Sequence, residues 1–271
     1  MPELPEVETT RQGLLPHVTH QTIDKVIVRN RSLRYPIESR FEAQCEQRII
    51  QTLTRRSKYL LFELDQGYVL LHLGMSGHLR VLPIDTAAEK HDHVDILLSN
   101  KLLVRYTDPR RFGMINWFDI PYHIHPLLRK LAPEPLTPAF NSHYFYKACQ
   151  TKKKVIKKVL MDSHIVVGVG NIYAQECLFL EGIHPNRKAS DLSIDESKRL
   201  VKRIKQVLKK AIAKGGTTLK DFKNVDGKPG YFSQTLHVYG RNTLPCTTCQ
   251  RPLDKCLIDN RSTVYCAYCQ H

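Results

Sequence analysis

Two different spacings of apolar residues divide the chain. Residues 5–15 (PEVETTRQGLL) place Val7, Leu14 and Leu15 on one face of a predicted helix. Apolar residues then gather into short runs separated by turn-forming residues, and residues 65–67 form a hairpin signal between the first two runs. The runs are YLLFEL, YVLLHL, DHVDILL, LLVRY and GMINWF. Strands at such short spacing predict a β-sandwich or barrel rather than βαβ units.

The pattern changes after these runs. Residues 127–140 (LLRKLAPEPLTPAF) are rich in proline and are typical of an interdomain linker. The periodicity then becomes helical, and Ser193 and Glu196 have the spacing of a capping box. An apolar stripe follows, with lysines and arginines on the opposite face, for which a solvated surface is the default interpretation. Two glycines at 215–216 end this helix.

These patterns predict four segments. The first is a strand-rich N-terminal domain over residues 1–130, followed by a linker at 131–140. A helical domain at 141–235 precedes a cysteine-containing tail at 236–271. The sequence contains no internal repeat and no low-complexity tract.

The charge of the chain points to a type of partner. Lysine and arginine number 41 against 26 aspartates and glutamates, a formal net charge of +15. This excess favours a polyanion, because each neutralised phosphate releases counterions. A basic soluble protein and a membrane-surface binder are the alternatives. Nucleic acid is favoured because no basic amphipathic segment flanks an aromatic face, and no apolar run approaches the roughly 18 residues of a membrane span.

The C-terminal cysteines form the most specific local motif. Cys246-x-x-Cys249 and Cys266-x-x-Cys269 supply four thiolates, the usual ligands of a structural zinc ion. A closed four-cysteine site leaves no position for water, so such an ion folds the tail and does not catalyse. Two disulfides are the alternative, which fits poorly with the absence of an export signal. The remaining cysteines, interpreted as reduced thiols, are Cys45, Cys149, Cys177 and Cys256.

The first residues, MPELPEVE, place carboxylates beside a proline. Removal of Met1 would give Pro2 a free secondary amine, and an α-amino group titrates near 8 against about 10.4 for lysine. Such an amine can attack a sugar carbon and form an iminium ion that promotes elimination, with Glu3 as general acid and base. Two other interpretations are a frayed terminus and compensation of the helix dipole by Glu3 and Glu6.

Three glycine-containing stretches suit contact with DNA. In VVGVGNIYA, backbone N–H groups before Asn171 could bind a phosphate, although a simple glycine turn is equally possible. Tyr173 and the absence of a strand–helix unit exclude a dinucleotide-binding loop. The stretches GMSG and DPRRFG place Met75 and Phe112 on turns, as in proteins that insert apolar side chains between base steps. The alternative is that both are ordinary core residues.

The motifs together resemble one family. They are MPELPEVE, HLGMSG, TDPRRFG, VVGVGNIYAQE, GGTTLKDF, DGKPGYF and the paired C-terminal cysteines. In this order the chain resembles formamidopyrimidine-DNA glycosylase, a bifunctional base-excision-repair enzyme. The resemblance implies an α+β multidomain fold, with an N-terminal β-sandwich and flanking helices. A helix–two-turn–helix domain and a zinc-finger β-hairpin would complete it.

The resemblance also implies catalytic roles. Pro2 would be the Schiff-base nucleophile and Glu3 the proton donor, with Glu6 supporting the site. Lys58 would donate a proton for β-elimination. Arg261 would act in δ-elimination and grip the phosphate beside the damage.

Further residues are implied to contact DNA. Asn171 would bind phosphate, His91 would contact the duplex, and Lys220 would lie where a mobile loop closes over the damaged purine. Arg110 would reach the orphaned cytosine. The side chains implied to fill the gap left by the flipped base are Met75, Arg110 and Phe112.

The implied substrates are 8-oxoguanine opposite cytosine and ring-opened formamidopyrimidines in duplex DNA. Excision followed by β,δ-elimination would leave a one-nucleotide gap. The implied cofactor is one structural zinc ion, without a redox cofactor or catalytic metal. The resemblance implies a monomer acting on damaged double-stranded DNA, away from membranes, in the bacterial cytoplasm and associated with the nucleoid.

Two alternatives stay open on the sequence. An endonuclease VIII-type glycosylase of oxidised pyrimidines shares the N-terminal Pro-Glu, the two-turn motif and the zinc hairpin, although PELPEVE and GGTTLKDF favour the purine enzyme. A non-enzymatic zinc-dependent DNA-binding protein would explain the charge and the cysteines. It would leave Pro2 and Glu3 without an explanation.

Overall fold

The computed structural model describes residues 1–217 and 232–271, which form two compact units. The first comprises Met1–Arg129 and the described part of Lys214–Ser233, and the second comprises Lys130–Ala213 and Gln234–His271. The four-segment division drawn from the sequence remains a prediction. Within the described ranges, every helix is too short or too polar to traverse a lipid bilayer.

The first unit contains two antiparallel sheets and several helices. Its strands are β1 (Ile23–Val28), β2 (Ile50–Arg56), β3 (Tyr59–Leu64), β4 (Tyr68–His72), β5 (His78–Pro83), β6 (Asp92–Leu98), β7 (Leu102–Thr107) and β8 (Met114–Phe118). Its helices are α1 (Leu4–Val18), α2 (Phe41–Cys45) and a 3-10 helix (Tyr122–Ile124). The strand orders are β1-β6-β7-β5 and β2-β3-β4-β8.

One apolar core takes side chains from both sheets and from α1. Alternation along the strands turns apolar residues of each sheet toward this core, which confirms the predicted sandwich. The predicted hairpin between β3 and β4 is also present. Gly67 adopts a φ of +78° there, with the Trp117 ring 2.6 Å from the position of an added Cβ. Only glycine meets both demands without strain.

The second unit is helical and ends in a hairpin. Its α-helices are α3 (Ser142–Gln150), α4 (Ile156–Leu160), α5 (Asn171–Leu180) and α6 (Ile194–Ala213), with a 3-10 helix at Ala189–Asp191. A further 3-10 helix spans Phe232–Thr235, and the hairpin pairs β9 (Asp254–Ile258) with β10 (Arg261–Tyr265). Asp259 and Asn260 form its turn with φ values of 55° and 56°, as a two-residue turn with positive φ at both positions requires.

The predicted capping box at the start of α6 is present. The Glu196 N–H donates to Ser193 Oγ at 3.1 Å, and the Ser193 N–H donates to Glu196 Oε2 at 2.8 Å. The apolar stripe of α6 is buried, and Gly215 and Gly216 both have positive φ after its last turn. The sequence therefore identified both ends of this helix.

Candidate functional site

The N-terminal residues are organised by one carboxylate. Glu6 is fully buried in the first turn of α1, and its Oε2 accepts the Glu3 N–H at 2.8 Å. Its Oε1 accepts the Thr217 N–H, also at 2.8 Å. Gly216 has a φ of +82° and lies so close that an added Cβ would be 3.1 Å from this oxygen. The carboxylate thus joins the start of the chain to a residue 211 positions away.

Pro2 and Glu3 share this buried environment. Glu3 precedes α1 as its N-cap residue with an extended backbone, and both side chains are buried. The frayed-terminus interpretation is therefore wrong. The geometry sets a proline and a carboxylate side by side at a fixed position, as amine chemistry assisted by a proton donor would need. The chemical roles of Pro2 and Glu3 remain predictions.

Two loops of the first unit present the predicted gap-filling side chains. Arg110 is exposed, and its Cζ lies 4.8 Å from the centre of the Phe112 ring. Phe112 is 47% exposed, so its interpretation as a core residue is wrong. Met75, on the other loop, is half-buried. The loops touch, since a Cβ on Gly74 would lie 2.4 Å from the Phe112 carbonyl carbon.

His91 lies at the base of the second loop. Its carbonyl accepts the Asp108 N–H at 3.0 Å. His93 Nε2 lies 2.8 Å from the Asp108 carbonyl oxygen. The structure therefore brings His91 together with the loop that carries Arg110, whereas Lys220 lies outside the described residues.

A further basic cluster in the first unit surrounds His72. Burial, helped by the charges of Lys58 and Arg34, lowers the pKa of His72 to about 4. The imidazole is therefore neutral near pH 7, and its Nδ1 accepts the Gly74 N–H at 3.0 Å, which leaves the ring proton on Nε2. A pocket of about 90 Å³ is lined by Arg34, Tyr35, Tyr59, His72, Phe112 and Met114.

Sequence reasoning singled out Lys58 in this cluster but missed Arg34 and His72. The available signal for His72 was its position at the end of a strand, directly before the GMSG turn. Arg34 lies outside every helix and strand, so no periodic pattern pointed to it.

In the second unit, the glycine-containing turn leads into α5. Gly168 has a φ of +81°, and α5 begins at Asn171. Asn171 Nδ2 and Gln175 Nε2 each donate to the Ser262 carbonyl, at 3.2 Å. Ser262 follows Arg261 on β10, so the structure brings the predicted phosphate-binding residue together with the hairpin arginine.

A basic pocket lies beside this hairpin. Its volume is about 210 Å³. Lys157 is 1% exposed and its Nζ donates to Thr263 Oγ1 at 2.6 Å, while Lys158 pairs with Asp259 at 2.8 Å. The lining residues are Lys154, Lys157, Lys158, Met161, Asp162, Ile258, Asp259 and Arg261. Cations outnumber carboxylates in this lining, so the pocket suits an anion.

The four predicted metal ligands converge. The Sγ atoms of Cys246, Cys249, Cys266 and Cys269 all lie within 4.8 Å of one another. Two Sγ–Sγ distances are 3.5 and 4.0 Å, close to the roughly 3.8 Å edge of a tetrahedron with 2.3 Å metal–sulfur bonds. They are much longer than a disulfide bond, and all eight cysteines are free thiols. The disulfide alternative therefore has no support.

Backbone hydrogen bonds favour the thiolate form of one cysteine, Cys246. Burial alone would raise the pKa of Cys246, but the backbone N–H groups of Cys249 and Thr248 lower it to about 7. A thiolate is the form that binds a metal ion. Burial instead raises the pKa of Cys266, and it raises that of Cys269 to about 12. The four converging Sγ atoms can hold one metal ion in a closed site with no open position.

Comparison with protein families decides the assignment. The family model of the formamidopyrimidine-DNA glycosylase N-terminal domain matches residues 1–115. The model of the formamidopyrimidine-DNA glycosylase H2TH domain matches residues 131–223. The chain belongs to the formamidopyrimidine-DNA glycosylase family. The resemblance drawn from the sequence motifs is confirmed.

Curated members of the formamidopyrimidine-DNA glycosylase family match the whole chain. The formamidopyrimidine-DNA glycosylase of Hydrogenovibrio crunogenus is 52% identical over 270 residues, which cover 100% of this chain and 96% of that protein. The protein of the same name from Shewanella sp. strain MR-7 is 54% identical, covering 100% of this chain and 99% of that protein.

Solved structures of the same family confirm the fold. MutM (Fpg) from Thermus thermophilus superposes with a TM-score of 0.89 at 37% identity, covering 99% of this chain and 98% of that chain. Lactococcus lactis Fpg in complex with abasic-site DNA superposes with a TM-score of 0.91 at 31% identity, covering 99% of each chain. Wild-type Lactococcus lactis Fpg with N7-benzyl-Fapy-dG DNA gives the same TM-score, identity and coverage. The α+β multidomain fold expected from the resemblance is therefore correct.

Proposed function

We propose that this chain is a base-excision-repair glycosylase and lyase that removes oxidised purines from duplex DNA. The observation that carries the proposal is the buried Pro2–Glu3 end of α1, fixed by the Glu6 carboxylate. A DNA-binding module has no need to fix a proline and a proton donor at one buried position. Amine catalysis at a sugar carbon needs both.

The proposed reaction starts once Met1 is removed. The Pro2 nitrogen attacks C1′, the glycosidic bond breaks, and its electron pair leaves with the purine, which takes up a proton. Glu3 supplies a proton to the sugar ring oxygen as the ring opens. The resulting iminium ion accepts electron density when C2′ loses a proton, so the 3′ phosphate departs by β-elimination. Lys58 would be the proton donor for this step. A second elimination, the δ-elimination, expels the 5′ phosphate, with Arg261 as the proton donor.

Base removal requires the damaged nucleotide to leave the stack. Met75, Arg110 and Phe112 would fill the gap, because an apolar side chain and an arginine can replace the lost stacking and pair with the orphaned base. The stacked arrangement of Arg110 on the exposed Phe112 ring supports this role. His91, at the base of the same loop, would contact the duplex.

Phosphate binding would fall to the second unit. Asn171 at the start of α5 and Arg261 at the start of β10 lie on elements bonded to each other, and lysines enrich the neighbouring pocket. Helix N-termini and arginines both bind phosphate well. Lys220 would act above the damaged base. The net charge of +15 favours DNA association through counterion release.

Zinc is the metal that best fits the four-cysteine cluster. Cys246, Cys249, Cys266 and Cys269 would bind one ion that folds the hairpin and takes no part in the chemistry. The ion would hold Arg261 in position for DNA.

The relatives support the choice of substrate and setting. The named enzymes are formamidopyrimidine-DNA glycosylases, and structures of the Lactococcus lactis protein contain N7-benzyl-Fapy-dG or abasic-site DNA. We therefore favour 8-oxoguanine and formamidopyrimidines over oxidised pyrimidines. We further infer a monomer that works on the chromosome in the bacterial cytoplasm, in association with the nucleoid.

Borohydride trapping on an 8-oxoguanine:cytosine duplex tests the proposal. Native protein should form a covalent adduct that maps to residue 2, and a preparation retaining Met1 should form none, because its Pro2 nitrogen is an amide. Pro2→Gly should trap weakly. Pro5→Ala, a matched change at a second proline of the same segment, should trap like native protein.

Two outcomes would overturn the proposal. Tight binding of the duplex without adduct or strand cleavage would support the non-enzymatic DNA-binding alternative. Faster release of oxidised pyrimidines than of 8-oxoguanine across a substrate panel would support the endonuclease VIII type.

A further inference from the structure

The loops that carry the gap-filling side chains come from different parts of the first unit. Residues 74–77 follow β4, whereas residues 108–113 follow β7. Neither loop belongs to a sheet, so without a further connection each loop would move independently. Met75 and Phe112 would then reach DNA at positions set by separate fluctuations.

A single buried carboxylate bonds to both loops. Asp108 is fully buried. Its Oδ1 accepts the Ser76 hydroxyl at 2.6 Å and the Arg110 N–H at 3.3 Å. Its Oδ2 accepts the Tyr106 hydroxyl at 2.9 Å and the Gly113 N–H at 2.9 Å. Ser76 belongs to the first loop, and Arg110 and Gly113 belong to the second.

The Ser76 hydroxyl reinforces this arrangement. Its Oγ donates to Asp108 and also accepts the Arg110 N–H at 3.2 Å. The carboxylate and the hydroxyl therefore bind the same backbone N–H from two sides. The backbone position of Arg110 in one loop therefore depends on Ser76 in the other loop.

Tyr106 occupies the space between the loops. A Cβ on Gly113 would lie 1.7 Å from the Tyr106 hydroxyl oxygen, and one on Gly77 would lie 2.7 Å from it. Both glycines are therefore required by the close approach of this hydroxyl. Tyr106 is itself buried in the sandwich core, so the loops are anchored to the rigid part of the unit.

We infer that Asp108 is a positioning residue which, through Ser76 and Tyr106, makes the Met75 loop and the Arg110–Phe112 loop act as one rigid body. A buried carboxylate with four donors is costly to disturb, because each lost bond leaves a desolvated charge less well satisfied. This inference rests on the proposed function only for its consequence in DNA. The coupling of the loops is a property of the free protein.

The consequence concerns the gap left by an extruded base. Side chains on a preorganised surface fill that gap without first being ordered, whereas independent loops must be ordered on binding. Duplex DNA demands this filling and single-stranded DNA does not, because only the duplex has an orphaned base. Loss of the coupling should therefore slow reaction on duplex and leave reaction on single strands unchanged.

The first experiment needs no DNA. Hydrogen exchange is compared among native protein, Tyr106→Phe and Asp108→Asn. Exchange should rise together in residues 74–77 and 110–113 in both variants. Tyr144→Phe is the matched control, since its hydroxyl donates to the Ile165 carbonyl at 3.0 Å in the second unit. A rise confined to one loop would overturn the coupling.

The second experiment measures lyase rates on abasic-site DNA. Tyr106→Phe should slow cleavage of duplex about 10-fold and Asp108→Asn about 100-fold, in line with the effect of a 1 Å misplacement. Cleavage of a single-stranded abasic oligonucleotide should stay within about 2-fold of native. A variant that merely unfolds would lose both activities equally, and equal loss would overturn the positioning role.

A double-mutant cycle tests whether Tyr106 acts on DNA cleavage by positioning the loop that carries Met75. Tyr106→Phe is combined with Met75→Ala. The loss of duplex cleavage caused by Tyr106→Phe should be smaller when Met75 is already truncated, because only the Arg110–Phe112 loop is then left to be misplaced. Additive losses would overturn the inference that Tyr106 positions the Met75 loop. Failure of the native protein to cleave any abasic DNA would refute the proposed function and the DNA consequence. The exchange experiment would still decide the coupling.

Discussion

The N-terminal segment of the first unit and the cysteine-bearing hairpin of the second both present chemical groups on short stretches of chain, but they are stabilised differently. Val7 and Leu14 anchor α1 in the sandwich core, and Glu6 satisfies backbone donors at its start. In the hairpin region, Leu257 is 71% exposed and Tyr268 is 56% exposed. The small apolar cluster beneath the hairpin includes Cys246 and Cys266, two of the four cysteines that could hold a metal ion.

This difference shows what each region needs in order to fold. A segment on a large core can place a proline and carboxylates by packing and hydrogen bonding alone. A hairpin with few buried apolar residues cannot offset its conformational entropy without another source of free energy. Metal ligation is the source that its four thiolates can supply.

Loss of the bound metal ion should have the largest effect, because it should unfold one of the two regions and leave the other folded. Chelation or Cys249→Ser should unfold residues 246–269 and reduce DNA affinity by at least about 100-fold, because structural zinc contributes roughly 10–16 kcal/mol to such domains. Protection of α1 against hydrogen exchange should persist. Exchange measured by mass spectrometry, with DNA binding in parallel, checks both.

Cys256→Ser provides the matched control for metal removal. Cys256 lies on β9 but outside the four-cysteine cluster. This variant should retain one metal ion and native protection. A hairpin that stays protected after chelation would contradict the metal requirement.

Substituting Glu6 should weaken the other region. Glu6→Ala should cost about 2–3 kcal/mol of unfolding free energy, because two buried backbone donors lose a charged acceptor. Glu6→Gln should cost nearly as much, since its amide nitrogen would face one of those donors. Glu8→Gln should cost less than either Glu6 variant, because Glu8 accepts from the arginine side chains of Arg11 and Arg55 and not from buried backbone N–H groups. Denaturant unfolding measures all three.

An equal cost for Glu6→Gln and Glu8→Gln would contradict this ranking. It would mean that the Thr217 N–H and the Glu3 N–H are as well satisfied by water as by the carboxylate. The loss of unfolding free energy in Glu6→Ala should be accompanied by faster hydrogen exchange at the first turn of α1.

Acid should destabilise the first unit through His72. Its folded pKa of about 4 lies below the ordinary histidine pKa of 6.5, so the unfolded chain binds more protons between these values. Stability should therefore fall as pH drops from about 6.5 to about 4, by up to about 1.4 kcal/mol per pH unit. His72→Asn should remove this slope, because asparagine does not titrate. Its Oδ1 can still accept the Gly74 N–H, so the hydrogen bond of the native protein is kept.

Two further variants sharpen the acid test. Lys58→Gln should narrow the pH window by removing one of the charges that oppose protonation. Cys256→Ser should leave it unchanged. An unaltered slope in His72→Asn would show that another group accounts for the acid sensitivity.

The smallest effect is expected at a site belonging to neither region. Ser193→Ala removes the Oγ acceptor of the Glu196 N–H at the start of α6. The loss should be about 1 kcal/mol, as for other N-cap serines. Denaturant unfolding checks it, and a cost as large as that of Glu6→Ala would contradict the ranking.

Local features of the fold were predictable from sequence because their physical causes are local. The Gly67 turn, the capping box at Ser193 and the cysteine spacing each depend on residues within a few positions of one another. The periodicity of α1 was recognised, although the helix runs to Val18 and not to residue 15.

Long-range hydrogen bonds could not be predicted in the same way. The Glu6–Thr217 bond joins residues 211 positions apart, and no pattern at either end signals the other. Asp108 belonged to a recognised motif, but its role depends on Ser76, which lies on another strand connection. No sequence pattern marked Lys157, which is buried against Thr263. Tertiary packing decides such cases, and local propensity does not.

The bonds between the helices and the hairpin set a limit on protein engineering. Lys157 on α4 donates to Thr263, and Gln175 on α5 both donates to Ser262 and accepts the Val264 N–H at 2.7 Å. A hairpin transplanted from a relative would therefore lose these hydrogen bonds to the helices unless the residues at positions 157 and 175 were transferred with it. The exchangeable module is larger than the cysteine-bounded segment, and chimaeras cut at the first cysteine should bind metal yet dock poorly.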